Sequence, residues 1–219
     1  MATRRLPDGP DGRAEAARVL AGGGVVAFPT DTVYGIAVAL HTPGGIERLF
    51  AAKQRPLDKA IALLVADASQ AAELGELNAA ASALAAAFWP GGLTLVLPLR
   101  ADRSLPAALL GDPSIAHPMV GVRVPDHEAP RALARAVGPL PTTSANRSGE
   151  PEARNADELE AQLGGALDLI LDGGPAHGGP ASTVIDTTTV PLRILREGAI
   201  SVERLDACLT SAHLPSVGR

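Results

Sequence analysis

The chain holds a single cysteine, Cys208, in 219 residues. An intrachain disulfide and a cysteine-rich zinc site are therefore excluded, which fits a reducing compartment without requiring one. Aromatic side chains are almost missing: one Trp, one Tyr and three Phe. A core so poor in rings must take its buried area from Ala, Val, Leu and Ile, and 41 alanines allow helices to lie close on a sheet. No apolar run approaches the roughly 20 residues of a membrane span. Arg4 and Arg5 are not followed by the apolar stretch of a signal peptide. Internal repeats, coiled-coil heptads and charged tails are absent too. So are G-x-x-x-x-G-K-[ST], a strand-G-x-G-x-x-G-helix fingerprint, H-E-x-x-H and G-x-S-x-G, which closes the commonest routes to nucleotides, metals and acyl transfer.

What remains is an ordinary globular composition, 46% apolar and 20% charged, with a net charge of −5. One domain of about 200 residues is expected, in the cytoplasm and with no membrane contact. The acidic balance disfavours a chain that coats nucleic acid without specificity. The spacing of apolar residues predicts helices over 11–21, 44–52, 128–137, 156–163 and 202–209, with Ala-rich helical segments over 67–88. Strands are predicted over 25–28, 36–40, 60–65, 93–97, 120–124, 167–171, 182–186 and 192–195. Strands and helices mix without strict alternation, so the fold class is α/β with a single twisted mixed sheet flanked by helices. The expected organisation is a peripheral segment 1–13, a domain over 14–201, and a C-terminal helix and tail over 202–219.

Three polar segments stand out. Pro29-Thr30-Asp31-Thr32-Val33-Tyr34-Gly35 joins two apolar strands and sets two hydroxyls and a carboxylate at a strand end, where α/β sheets collect ligands; it equally suits a turn whose side chains satisfy their own backbone. Lys53-Gln54-Arg55-Pro56-Leu57-Asp58-Lys59 puts three cations on a loop broken by Pro56. That is a clamp for a polyphosphate or a plain exposed basic turn. Pro141-Thr142-Thr143-Ser144-Ala145-Asn146-Arg147-Ser148-Gly149 is dense in hydroxyl and amide groups, fit either for a ribose, carboxylate or base edge or simply for a turn. Arg123, Ser182 and Arg196 lie at strand ends. Residues 173–180 are Gly- and Pro-rich and could form a mobile lid, with His177 solvated within it. His41, His117, His127 and His213 have no metal-ligand spacing, Cys208 suits buried packing, and Trp89 suits a core or hinge anchor. Together these features point to a pocket for an anionic, polyoxygenated ligand such as a nucleotide.

In this order the segments resemble the Sua5/YrdC/YciO family, in its threonylcarbamoyl-adenylate synthase branch, over roughly 14–201. The resemblance is carried by residues 24–35, a K-x-R signature at Lys53 and Arg55, an S-x-N signature at Ser144 and Asn146, and the segments 88–94, 122–125, 182–186 and 194–198. It implies a fold with a concave, positively charged cavity and a reaction of L-threonine, bicarbonate or CO2, and ATP to threonylcarbamoyl-AMP and pyrophosphate. The product is the donor for tRNA threonylcarbamoyladenosine. It further implies Lys53 and Arg55 as catalytic residues. Thr32, Arg123, Thr142 and Ser182 fall to threonine; Arg55, Lys59, Ser144, Asn146 and Arg196 fall to ATP. Mg²⁺ would arrive with ATP, with no prosthetic group. The downstream tRNA-modifying machinery is the implied partner, with RNA contact conceivable. Leu64 stands where some relatives carry His, Ala60 where Pro is frequent, and Glu152 where a Ser often follows the S-x-N motif. The extra C-terminal domain of the long Sua5 type has no counterpart here, so a short form is expected. Three other readings compete: a YciO-type paralogue, a domain acting on another carbamoyl-adenylate, and a non-catalytic RNA-binding module.

Overall fold

In the computed structural model, which describes residues 3–54, 61–110, 117–176 and 179–218, the strands form one mixed sheet flanked by helices. The elements in chain order are β1 (Arg4–Pro7), α1 (Pro10–Ala21), β2 (Val26–Phe28), β3 (Gly35–Ala37), α2 (Gly45–Lys53), β4 (Ala62–Leu64), α3 (Ala68–Leu74), α4 (Ala79–Phe88), β5 (Leu93–Pro98), β6 (Met119–Arg123), α5 (Glu128–Val137), β7 (Leu140–Ser144), α6 (Ala156–Leu163), β8 (Leu169–Asp172), β9 (Thr183–Asp186), β10 (Leu192–Arg196), α7 (Val202–Ser211) and β11 (Val217–Gly218). The strand order is β1-β8-β2-β3-β7-β4-β6-β5-β9-β10-β11. Parallel and antiparallel pairs mix along it, as the irregular alternation of elements predicts.

Local chemistry accounts for the helix ends. Pro10 opens α1, where its missing N–H costs nothing. Side chains of Asp67, Asn78, His127 and Asn155 accept from backbone N–H groups at the starts of α3, α4, α5 and α6, each worth about 1 kcal/mol. β7 arises where the sequence suggested a turn, because its hydroxyl-bearing residues point into a cavity and its backbone pairs with both β3 and β4. The terminal segments expected to be peripheral supply the two edges of the sheet: β1 pairs with β8, and β11 with β10. The expected boundary at residue 14 falls inside α1.

Strand residues alternate between the two faces of the sheet. One face packs Ala27, Ile36, Leu63, Val122, Leu95 and Ile185 against residues of α2, α3, α4, α6 and α7, forming the larger core. On the other face α1 and α5 cover Val26, Phe28, Ala37, Leu64, Leu140 and Leu169. Beyond them the same face is open: Thr94 and Val96 of β5, Gly121 and Arg123 of β6 and Val184 and Asp186 of β9 line a cavity there. Two helices on a sheet of this width leave half of one face bare, and the site is built on that bare half.

Candidate functional site

The cavity holds about 470 Å³, within the size range of small-molecule sites. Its floor comes from strand positions that share parity with the cores on either side. Thr142 and Ser144 follow Leu140 on β7, and Arg123 stands opposite Leu64 in the β4–β6 register. A bulge in β10 alters this parity: Ile194 pairs with Ile185, and Arg196 with Val184, leaving Leu195 as the extra residue. Regular alternation would send Arg196 to the opposite face from Arg193. The bulge brings both to the cavity wall, a common use of bulges beside functional sites.

On one side, the β2–β3 turn is closed by its own hydroxyls. Thr30 donates to the Val33 carbonyl at 2.6 Å and accepts from the Thr32 N–H at 3.2 Å. With its proton so used, Thr30 Oγ1 accepts from the Thr32 hydroxyl 3.1 Å away. Thr32 Oγ1 then accepts from Arg123 at 3.2 Å. The Arg123 guanidinium, 7% exposed, also donates to Gly91 O at 2.9 Å and to Asp31 Oδ1 at 2.6 Å.

On the other side, Arg196 donates through Nε to Ser182 O and through a terminal nitrogen to Ser182 Oγ, both at 3.0 Å. Ser182 Oγ lies 2.8 Å from Thr94 Oγ1. Burial draws the Arg196 pKa below its ordinary value; Glu152 opposes that and Arg123 adds to it, so these groups share one field. Among the described residues, the charged ones lining the cavity are Arg123, Arg193, Arg196, Glu152 and Asp186.

A third assembly stands behind Ser144. Lys53, the buried last residue of α2, donates to Ser144 O, to Ser144 Oγ at 3.1 Å and to Asn146 Oδ1 at 2.8 Å. Ser144 Oγ donates to Asn146 Oδ1 at 2.7 Å, and Asn146 Nδ2 donates to Glu150 O at 2.6 Å. Lys53 and Asn146 thus hold the end of β7 from the rear, whereas Ser144 faces the cavity. Tyr34 ties this corner down, accepting the Ala145 N–H on its carbonyl at 2.7 Å and donating its hydroxyl to Gly174 O at 2.7 Å.

Of the residues singled out from sequence, Thr32, Arg123, Thr142, Ser144, Ser182 and Arg196 meet on the cavity wall. Arg55, Lys59 and His177 lie outside the described residues. Among the described residues no three His, Cys, Asp or Glu side chains gather as a metal site, and no helix is long and apolar enough to cross a membrane. Cys208 is half-buried against the core, and the Trp89 indole donates to Leu93 O at 2.7 Å. From the sequence, Thr94, Asp186 and Arg193 carry no site assignment, and Asp31 is only the carboxylate of a polar turn at a strand end. Strand alternation from Ser182 through Val184 to Asp186 carries a signal for Asp186; the pairing of Asp31 with Arg123, 92 residues away, leaves none.

The family model Sua5_yciO_yrdC, described as "Telomere recombination", matches residues 18–198. Threonylcarbamoyl-AMP synthase of Bacillus subtilis (strain 168) is 36% identical over 203 residues, covering 92% of this chain and 57% of the relative. The crystal structure of P. abyssi Sua5 complexed with L-threonine superposes with a TM-score of 0.84 at 34% identity, covering 95% of this chain and 60% of that one. E. coli YciO superposes with a TM-score of 0.80 at 27% identity, covering 94% and 100%. The chain spans little more than half the length of the curated relatives first matched.

Proposed function

Because the chain belongs to the Sua5/YciO/YrdC family, we propose that it is an L-threonylcarbamoyladenylate synthase, converting L-threonine, CO2 or bicarbonate, and ATP to threonylcarbamoyl-AMP and pyrophosphate. This makes it a nucleotidyltransferase of the cytoplasm that feeds tRNA threonylcarbamoyladenosine synthesis, with the downstream transferase machinery as its partner. The carrying observation is the presence on one cavity wall of two separate guanidinium–hydroxyl sets, Arg123 with Thr32 and Arg196 with Ser182. A reaction that joins two anions needs two such cradles. The likeness to a Sua5 structure complexed with L-threonine supports the amino-acid half of the reading.

In this mechanism the threonine amine attacks the carbon of CO2 and loses a proton, giving a carbamate. A carbamate oxygen then attacks the α-phosphorus of ATP, and pyrophosphate leaves. No protein nucleophile is required. The chain's task is to hold both anions in line and to stabilise charge on the transferring phosphoryl group. Thr32, Arg123 and Thr142 take the threonine side, and Ser182, bonded to Arg196, stands where that side meets the nucleotide. Arg55, Lys59, Ser144, Asn146 and Arg196 take the nucleotide side, with Lys53 holding Ser144 and Asn146 in place. Mg²⁺ belongs to the substrate as the ATP complex; among the described residues, Glu152 and Asp186 are the wall carboxylates that its hydration shell could meet.

Pyrophosphate release with ATP and bicarbonate, measured with and without L-threonine, tests the reading. Threonine-dependent release supports it. ATP binding without threonine-dependent release contradicts it and favours a YciO-type paralogue or a non-catalytic RNA-binding module.

A further inference from the structure

Asp31 stands in the β2–β3 turn, three strands away from Arg123 in the sheet order, yet its Oδ1 meets an Arg123 terminal nitrogen at 2.6 Å. Both side chains are mostly buried, 16% and 7% exposed. Charge-assisted contacts of this kind are short and directional. Asp31 is not itself on the cavity wall, whereas Arg123 is. Arginine has five N–H donors in a rigid plane. Here Nε is committed to Gly91 O, one terminal nitrogen to Thr32 and the other to Asp31. Three anchors on two loops leave the plane no rotation, and among the described residues no other acceptor takes the second N–H of either terminal nitrogen, which leaves both to a ligand.

We infer that Asp31 is a positioning residue: its carboxylate fixes the Arg123 guanidinium so that the two remaining donors meet the carboxylate of the amino-acid substrate. The inference rests on the proposed function for the identity of that substrate. Asp31 acts through direction rather than charge. Without it the guanidinium keeps Gly91 and Thr32 but can swing about the axis they define, and a fork that swings no longer matches a carboxylate bidentately.

Three variants, Asp31→Asn, Asp31→Glu and Asp31→Ala, separate direction from charge in steady-state kinetics of pyrophosphate release. Asn keeps an acceptor oxygen at the same place without charge; Glu keeps the charge but moves the oxygens by a methylene. The KM for threonine is expected to stay within about threefold of wild type in Asp31→Asn and to rise about tenfold or more in Asp31→Glu and Asp31→Ala, with the KM for ATP moving less than about twofold, as loss of one oriented charged contact implies. A threonine KM that is lower for Glu than for Asn, or equal in all variants, overturns the inference, as does a parallel rise in both KM values. If Asp31→Ala does not fold, the Asn–Glu comparison decides alone. Wild-type protein without threonine-dependent turnover removes the proposed function and this role with it; active wild type with the wrong order among the variants removes only the role of Asp31.

Discussion

Lys53 Nζ lies 2.8 Å from Asn146 Oδ1, joining the last residue of α2 to the turn after β7 across 93 residues of chain. The same ammonium holds both oxygens of Ser144, so the Lys of the first signature and the S-x-N of the second are physically one assembly. Lys53→Met keeps much of the apolar volume and removes the donor. Loss of the charged donor to the Asn146 and Ser144 oxygens should then cost about 1–3 kcal/mol, read as a lower melting temperature, and turnover should fall at least about a hundredfold as the nucleotide wall loosens. A stable variant with wild-type kinetics would remove Lys53 from the site.

Ser182 is the acceptor for two Arg196 donors, one through its carbonyl and one through its hydroxyl. Ser182→Ala retains the first and deletes the second, together with the bond to Thr94. A loss of about 1–2 kcal/mol in transition-state stabilisation is expected, roughly a tenfold drop in kcat/KM. Thr94→Ala should show a smaller drop in the same direction. Equal kcat/KM in all three proteins would show that this array does not touch the reaction.

How far the chain announces itself differs from element to element. The periodicity of 128–137 and 156–163 predicts α5 and α6 at their observed bounds, because capping side chains mark their starts and glycines follow both ends. β7 is harder to read, since Thr142 and Ser144 face a cavity and break the apolar alternation that marks a strand. The edge strands β1 and β11 are short and take their conformation from β8 and β10 rather than from their own residues. At the site the hydroxyl-rich turns are visible because turn chemistry is local. The Asp31–Arg123 pair and the β10 bulge at Leu195 depend on register between distant strands, which no local pattern encodes.

Gly198 is where the chain after β10 crosses the backbone that carries Ser182. A methyl group at Gly198 would sit 2.1 Å from Ala181 O and 2.6 Å from the Ser182 carbonyl carbon, both backbone atoms. Gly198→Ala must therefore push residues 181–183 aside, at a cost of about 1–3 kcal/mol. The displacement reaches the Ser182–Arg196 array, so urea unfolding and the KM for ATP should both worsen. Destabilisation without any kinetic change would separate Gly198 from the site.

Burial raises the pKa of Tyr34 above that of a free phenol, and the Gly173 N–H, donating to its oxygen, only partly offsets this. The neutral phenol is the form the fold prefers. Its stabilising contribution is thus complete below about pH 10, the unfolded value, and is lost as pH rises toward the higher folded value. Tyr34 is the chain's only tyrosine, so absorbance titration reads it directly and should give an apparent pKa above 10 in the native state. Tyr34→Phe should be less stable at neutral pH by about 1 kcal/mol, and the gap to wild type should narrow above pH 10. A native titration at or below the free-phenol value would contradict the buried latch on Gly174.

The central claim is that one cavity joins an amino-acid carbamate to the α-phosphate of ATP. Mass spectrometry of the nucleotide product formed from ATP, L-threonine and ¹³C-bicarbonate tests it most directly. The account predicts threonylcarbamoyl-AMP that is heavier by the single labelled carbon, formed together with pyrophosphate and absent when threonine is left out. A product that lacks the labelled carbon or the threonine, or the release of plain AMP alone, would contradict it.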